Sequence, residues 1–279
     1  MQKICEQLNN CVGFSNVKRR IYVTRITGNE PNNVEVIRVG GPFRHYLPAA
    51  IPIGGESQNV LDMGTLTWYA QDSQGNWYGI TDGHVLDGFS TVYFPPPLVF
   101  YNKQYLGLNV PLIKPVPIGT VTQYVQYPYV DLGVFKLNVK PHLVSYGGVV
   151  PINISQVFEG EQVLKIGART GATLGIVLDQ SATVTIAGDQ GTIQFTGPLF
   201  QMYSQPGDSG GPIFQFSGAL VSSIVAGTGS YAIGNSIANI VAQLKAWGLQ
   251  LKFMRNLEYL TVPISAIWVG SLGVALGLA

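Results

Sequence analysis

The stretch Gly207-Asp208-Ser209-Gly210-Gly211-Pro212, followed by apolar Ile213 and Phe214, sets a serine between an acid and two glycines. A serine hydroxyl is a weak nucleophile at neutral pH, so chemistry at Ser209 requires a neighbouring base and N–H donors for the oxyanion formed on attack. Glycine suits the second need. A residue without Cβ lets the backbone turn tightly enough to aim the amides of Gly207 and Ser209 into one small space. The same residue types also make an ordinary polar turn ahead of a strand, so the base has to come from elsewhere in the chain.

Two upstream segments offer the missing groups. In Tyr78-Gly79-Ile80-Thr81-Asp82-Gly83-His84-Val85-Leu86 an apolar strand delivers His84 at its end. In Tyr129-Val130-Asp131-Leu132-Gly133-Val134 an acid stands among apolar residues, where burial without a partner is costly. Asp62, Asp82 and Asp87 are weaker substitutes for that acid. Taken in chain order, these segments resemble the histidine, aspartate and serine segments of the trypsin/chymotrypsin-like serine proteases. Gly167-Ala168-Arg169-Thr170-Gly171-Ala172-Thr173-Leu174-Gly175 is similar to a glycine-threonine segment of microbial and viral members, and the resemblance extends over about residues 51 to 248.

The resemblance implies an all-β fold of two antiparallel six-stranded Greek-key barrels with a C-terminal helix. It implies a catalytic triad of His84, Asp131 and Ser209, and an oxyanion hole made by the amides of Gly207 and Ser209. Asp208 then braces the oxyanion loop and is not the triad acid. The pocket for the substrate side chain falls at Tyr203, with a wall at Ala226, Gly227 and Thr228. No acid stands there, so small or medium apolar side chains are expected and basic ones are not. The expected partner is a protein or peptide substrate, and no cofactor is expected. A metal lacks ligands, because His45, His84 and His142 show no ligand spacing.

Composition sets the bounds on this reading. At 279 residues the chain is long enough for two packed units. Apolar residues make up 46% and charged residues 11%, against a usual charged share of roughly 25%, so the surface is solvated mainly by neutral polar groups. A formal net charge of +1 gives no electrostatic case for nucleic acid or an anionic surface. The 34 glycines and 17 prolines, with Val, Ile, Thr and Tyr spread throughout, favour many short strands and turns. The two cysteines, Cys5 and Cys11, cannot supply a disulfide framework.

The expected organisation is an N-terminal extension over residues 1–50, a first barrel over 51–140 with His84 and Asp131, a second over 141–250 with Ser209, and an apolar tail over 251–279. In the extension, Ile4, Cys5, Leu8, Cys11 and Val12 fall at helical spacing, and the runs 21–27 and 34–39 read as strands around a hairpin loop. Arg38-Val39-Gly40-Gly41 bears a weak likeness to the activation site of trypsin-like zymogens, where a new amino terminus pairs with the acid beside the serine. The proline-rich run 94–118 reads as a loop over the cleft or a solvated insertion. Near the end, Ile237, Ile240, Val241, Leu244 and Trp247 predict a helix, with Asn235 or Ser236 as cap and Gly248 past its end.

No secretory signal is expected in residues 1–14, where Gln, Lys, Glu and Asn break any apolar run. From Thr261 to Ala279 the chain carries no charge. As a helix at about 1.5 Å per residue this run spans roughly 28 Å, close to the hydrocarbon thickness of a bilayer. Pro263 and its glycines lower helical preference, so a membrane anchor and a segment packed in an oligomer or an extracellular or viral assembly both stay open. The charge-poor surface and this tail also suit a structural or assembly protein that retains a protease fold.

Overall fold

The computed structural model describes residues 11–15, 20–23, 35–38, 47–57, 60–97, 114–145, 149, 151–188 and 191–253. The apolar run 261–279, most of the proline-rich loop and the segment Val39-Gly40-Gly41 therefore lie outside the described residues. The chain divides into two units, Met1–Tyr46 and Leu47–Ala279.

In the first unit the strands Cys11–Ser15, Arg20–Val23 and Glu35–Arg38 form one small sheet. Helical spacing through Val12 predicts the end of a helix here, but Cys11–Ser15 is extended and pairs antiparallel with Arg20–Val23. Its β-branched and aromatic residues suit a pleated surface once a partner strand is present. Arg20–Val23 and Glu35–Arg38 run parallel, so they are not the arms of the expected hairpin; a parallel pair needs a longer crossover.

The second unit is built mainly from two large sheets. The first has eight strands, in spatial order Gln250–Leu251, Trp68–Gln71, Trp77–Thr81, Val130–Leu137, Val116–Tyr127, Thr91–Phe94, Pro52–Ser57 and Val60–Thr65. The second is a closed barrel of six strands, Gln162–Gly167, Gly171–Gly188, Gly191–Met202, Tyr231–Ser236, Leu220–Gly227 and Pro212–Gln215. This is the expected two-barrel, all-β architecture. The first sheet exceeds six strands partly because the chain returns after its helix and adds Gln250–Leu251 against Trp68–Gln71. At the start of the expected second barrel, the strand Pro141–Ser145 pairs parallel with Leu47–Ala49.

Continuous buried runs along central strands such as Val130–Leu137 and Leu220–Gly227, covered on both faces, set the cores. One cluster of buried residues includes Ile53, Leu66, Trp68, Ile80, Leu132, Val134 and Phe135 from the first sheet, and extends to Phe214, Leu220, Ile237, Ile240 and Leu244. A second fills the closed barrel with Val163, Val177, Phe200, Ile213, Val221 and Ile224. Gly79 stands where a Cβ would lie 2.3 Å from the Phe135 ring, so the missing side chain makes room for that aromatic.

The helix Ile237–Ala246 closes the unit. Ser236 is its cap: the hydroxyl accepts from Asn239 N at 3.3 Å, while Asn235 is left for another task. At the other end Gly248 adopts φ +73°, and Gly248 N and Leu249 N donate to the carbonyls of Lys245 and Leu244. These two bonds form a Schellman stop, which a residue with a Cβ would strain. Ile237, Ile240 and Leu244 are the buried face, as the periodicity predicts.

Candidate active site

His84 sits on a single helical turn, Gly83–Leu86, at the end of the strand Trp77–Thr81. Its Nδ1 lies 2.5 Å from Asp131 Oδ2, and its backbone N–H donates to Asp131 Oδ1 at 3.0 Å. Both carboxylate oxygens are thus committed to one residue, which fixes the ring orientation and leaves Nε2 as the nitrogen available for a proton. Asp131 is buried, and the imidazole side chain is 36% exposed. Crowding around the ring works to lower its pKa, but the hydrogen bond and charge of Asp131, with the charges of Asp82 and Asp62, outweigh it and lift the ring from 6.5 to about 9. Asp87, by contrast, is exposed and accepts from Tyr124 Oη and Gln126 Nε2.

The Ser209 loop enters from the other sheet, between the strands Gly191–Met202 and Pro212–Gln215. Gly207 and Gly210 take φ +102° and +82°, the left-handed region that glycine enters without strain. Residues of the first sheet pin the loop in place. Thr65 N donates to Ser209 O at 2.7 Å, Thr65 Oγ1 to Gly207 O at 3.0 Å, and Thr67 Oγ1 to Gly210 O at 2.5 Å. Gly210 N donates both to Ile224 O and to Asp82 Oδ2, each at 2.8 Å. Since Asp82 lies two residues before His84, this bond holds the serine loop against the histidine turn.

Ser209 Oγ itself makes a long contact, 3.4 Å, to Val225 O, and no hydrogen bond joins it to the imidazole among the described residues. The amides of Gly207 and Ser209 likewise make no hydrogen bond among the described residues. The structure thus brings His84 and Asp131 into contact and leaves the hydroxyl turned toward the second barrel.

Asp208 is fully buried and surrounded by donors. Lys165 Nζ reaches its Oδ2 at 2.7 Å, as do Thr170 Oγ1 at 2.7 Å and Gln205 N at 3.0 Å, while Arg169 N and Thr170 N bond Oδ1. Lys165 is also fully buried, and its ammonium further bonds Tyr203 O and Thr170 Oγ1. Burial pushes its pKa down and the adjacent Asp208 carboxylate pulls it back up. Gly167 gives way to this cluster: a Cβ there would lie 2.2 Å from Asp208 Oδ1.

Tyr203 is 48% exposed, with its hydroxyl on Gln205 Nε2, so its ring stands at the surface. Its neighbour Ser204 is buried and meets the expected pocket wall directly, since a Cβ on Gly227 would fall 1.8 Å from Ser204 Oγ. Ala226 is half-buried, while Gly227 and Thr228 are exposed at the end of the strand Leu220–Gly227.

Several residues of the site are absent from the sequence reading. Lys165 leaves a signal, a lysine within the apolar run Val163-Leu164-Lys165-Ile166. Thr65, Thr67 and Asn235 leave none, because nothing local distinguishes them from the residues around them.

The fold is similar to that of known structures. Similar solved structures include Thermobifida fusca protease A, with a TM-score of 0.56 and 20% identity over 75% of this chain and 100% of that one. Nocardiopsis protease gives a TM-score of 0.54 and 17% identity, and Cellulomonas bogoriensis chymotrypsin 0.53 and 18%, each again over 75% of this chain and 100% of the other. The chain has the chymotrypsin-like fold. No family model matches it, and neither does any curated protein.

Proposed function

We propose that this chain is a serine endopeptidase. The observation that carries the reading is the His84–Asp131 pair, with the imidazole partly open and the Ser209 loop bonded beside it through Gly210 and Asp82. The fold shared with several bacterial proteases supports it. In this reading rotation of the Ser209 side chain brings Oγ to His84 Nε2. The imidazole takes the hydroxyl proton as Oγ attacks the peptide carbonyl, then gives it to the leaving amine, and water hydrolyses the acyl-enzyme. Asp131 keeps the ring in the tautomer that accepts at Nε2 and stabilises the imidazolium. The amides of Gly207 and Ser209, which make no hydrogen bond among the described residues, receive the oxyanion, each donor being worth about 2.7 to 4 kcal/mol in comparable sites. Asp208 braces the loop that carries them.

A fluorophosphonate probe tests the assignment. The parent chain is expected to be labelled, and labelling is expected to vanish in Ser209→Ala and His84→Ala; an unlabelled parent, or a labelled Ser209→Ala, sinks it. For the pocket built on Tyr203, Ala226, Gly227 and Thr228, the proposal is a small or medium apolar side chain. A panel of peptides cleaved best after Arg or Lys overturns that part alone.

The contact of Ser209 Oγ with Val225 O is the observation that favours a second reading, a structural or assembly protein on the same scaffold. The same probe separates the two.

A further inference from the structure

Asp82 is a second carboxyl in the site that the proposed chemistry leaves without a task. It is fully buried, and an oxygen of Asp82, an oxygen of Asp131 and a ring nitrogen of His84 all lie within 4.8 Å of one another. Its Oδ2 accepts from Gly210 N at 2.8 Å; its Oδ1 accepts from Asn235 Nδ2 at 3.2 Å and from Ser223 Oγ at 3.4 Å. Asn235 in turn grips Asp131 at both ends of its backbone, accepting from Asp131 N at 2.8 Å and donating to Asp131 O at 2.7 Å. A continuous polar path therefore runs from the residue after Ser209, through Asp82 and Asn235, to the acid that orients His84. All of its atoms are shielded from water, where electrostatic coupling is strong and an unpaired group is costly.

We propose that Asp82 is a positioning residue of the site, one that joins the Ser209 loop to the His84–Asp131 pair and places a second acidic neighbour beside the imidazole. The proposal rests on the serine-hydrolase reading for its meaning, but the geometry it uses does not depend on turnover. Lacking a carboxyl at residue 82, the Gly210 amide would keep its bond to Ile224 O but lose its anchor on the histidine turn. The ring would then keep the charges of Asp131 and Asp62 and lose that of its third acidic neighbour. Asp82 sits in turn beside Asp131 and His84; burial holds its own pKa well above the usual carboxylate value, and the Asp131 charge adds to the effect. Protonation of this cluster is thus shared among three groups and read best as a coupled titration.

The experiment follows the His84 ring by NMR across pH in the full chain carrying Ser209→Ala, with and without Asp82→Asn. Asparagine keeps an acceptor for Gly210 N–H and removes the group whose ionisation is coupled to the ring, so the ring midpoint is expected to fall by about one pH unit. A folded Asp82→Asn chain with an unmoved midpoint overturns the proposal. Should that variant fail to fold, the carboxyl carbon of Asp82 is followed in the Ser209→Ala chain itself. It is expected to change at the pH where the ring titrates, and a carbon that stays silent there overturns the proposal equally. Fluorophosphonate labelling of the unsubstituted chain separates the two levels: loss of labelling with a coupled titration removes the hydrolase reading alone, and labelling with an uncoupled ring removes the Asp82 role alone.

Discussion

Residue 83 has to be glycine for the site to assemble. A Cβ there would lie 2.3 Å from Val125 O and 2.8 Å from Asp131 Oδ1, so any side chain drives the carboxylate off the imidazole. Gly83→Ala is expected to slow fluorophosphonate labelling by on the order of 100-fold, because displacements near 1 Å at a reacting group cost about that much. The imidazole makes a second prediction, with opposite signs for rate and stability. In the proposed mechanism His84 serves as base only when neutral, so kcat/KM on a peptide substrate should rise with pH through an apparent value near 9. Its folded pKa is raised, so the stability it contributes is full below its ordinary 6.5 and is lost as pH climbs through about 9. A pH-rate profile set beside denaturant midpoints over the same range checks both signs. A flat rate between pH 7 and 10 would remove His84 as the base.

Among elements, the strand Gln162–Gly167 carries the most exacting demand, because it brings Lys165 under the serine loop. Replacing it with Met leaves Asp208 without its cation in a dry site, which typically costs about 3 to 5 kcal/mol. Lys165→Met is therefore expected to lower the denaturant midpoint sharply and to slow labelling of Ser209 as well. The helix Ile237–Ala246 gives a milder case: Ser236→Ala removes the acceptor for Asn239 N and should cost about 1 kcal/mol with little change in labelling. This helix was legible in the sequence because period, cap and glycine stop are local signals. The buried ion pair was not, since Lys165 and Asp208 stand 43 residues apart and no short-range pattern connects them. The strand pairing of Cys11–Ser15 was missed for the same reason, helical spacing being visible locally and strand partners not.

Across the second unit, the sheets are joined at the serine loop. Thr65 and Thr67 bond residues 142 and 143 positions further along, and Asn235 spans 104 residues to Asp131. None of these bonds shows in the sequence, whereas the residues of the proposed triad stand in short motifs whose order alone points to the fold. Contacts of such range tie the stability of one sheet to the other. Loss of labelling, of tryptophan fluorescence and of β circular dichroism on adding denaturant are therefore expected to coincide; labelling that fails well before the fluorescence changes would show the loop to be independently held.

The ammonium beneath Asp208 belongs to an internal side chain, supplied by the barrel as it closes. In zymogens of the trypsin-like kind, that carboxylate waits for an amino terminus released by cleavage. Here the seat is already taken. In the proposed hydrolase Asp208 therefore has its counter-ion from within the barrel and calls for no released amino terminus to fill that place.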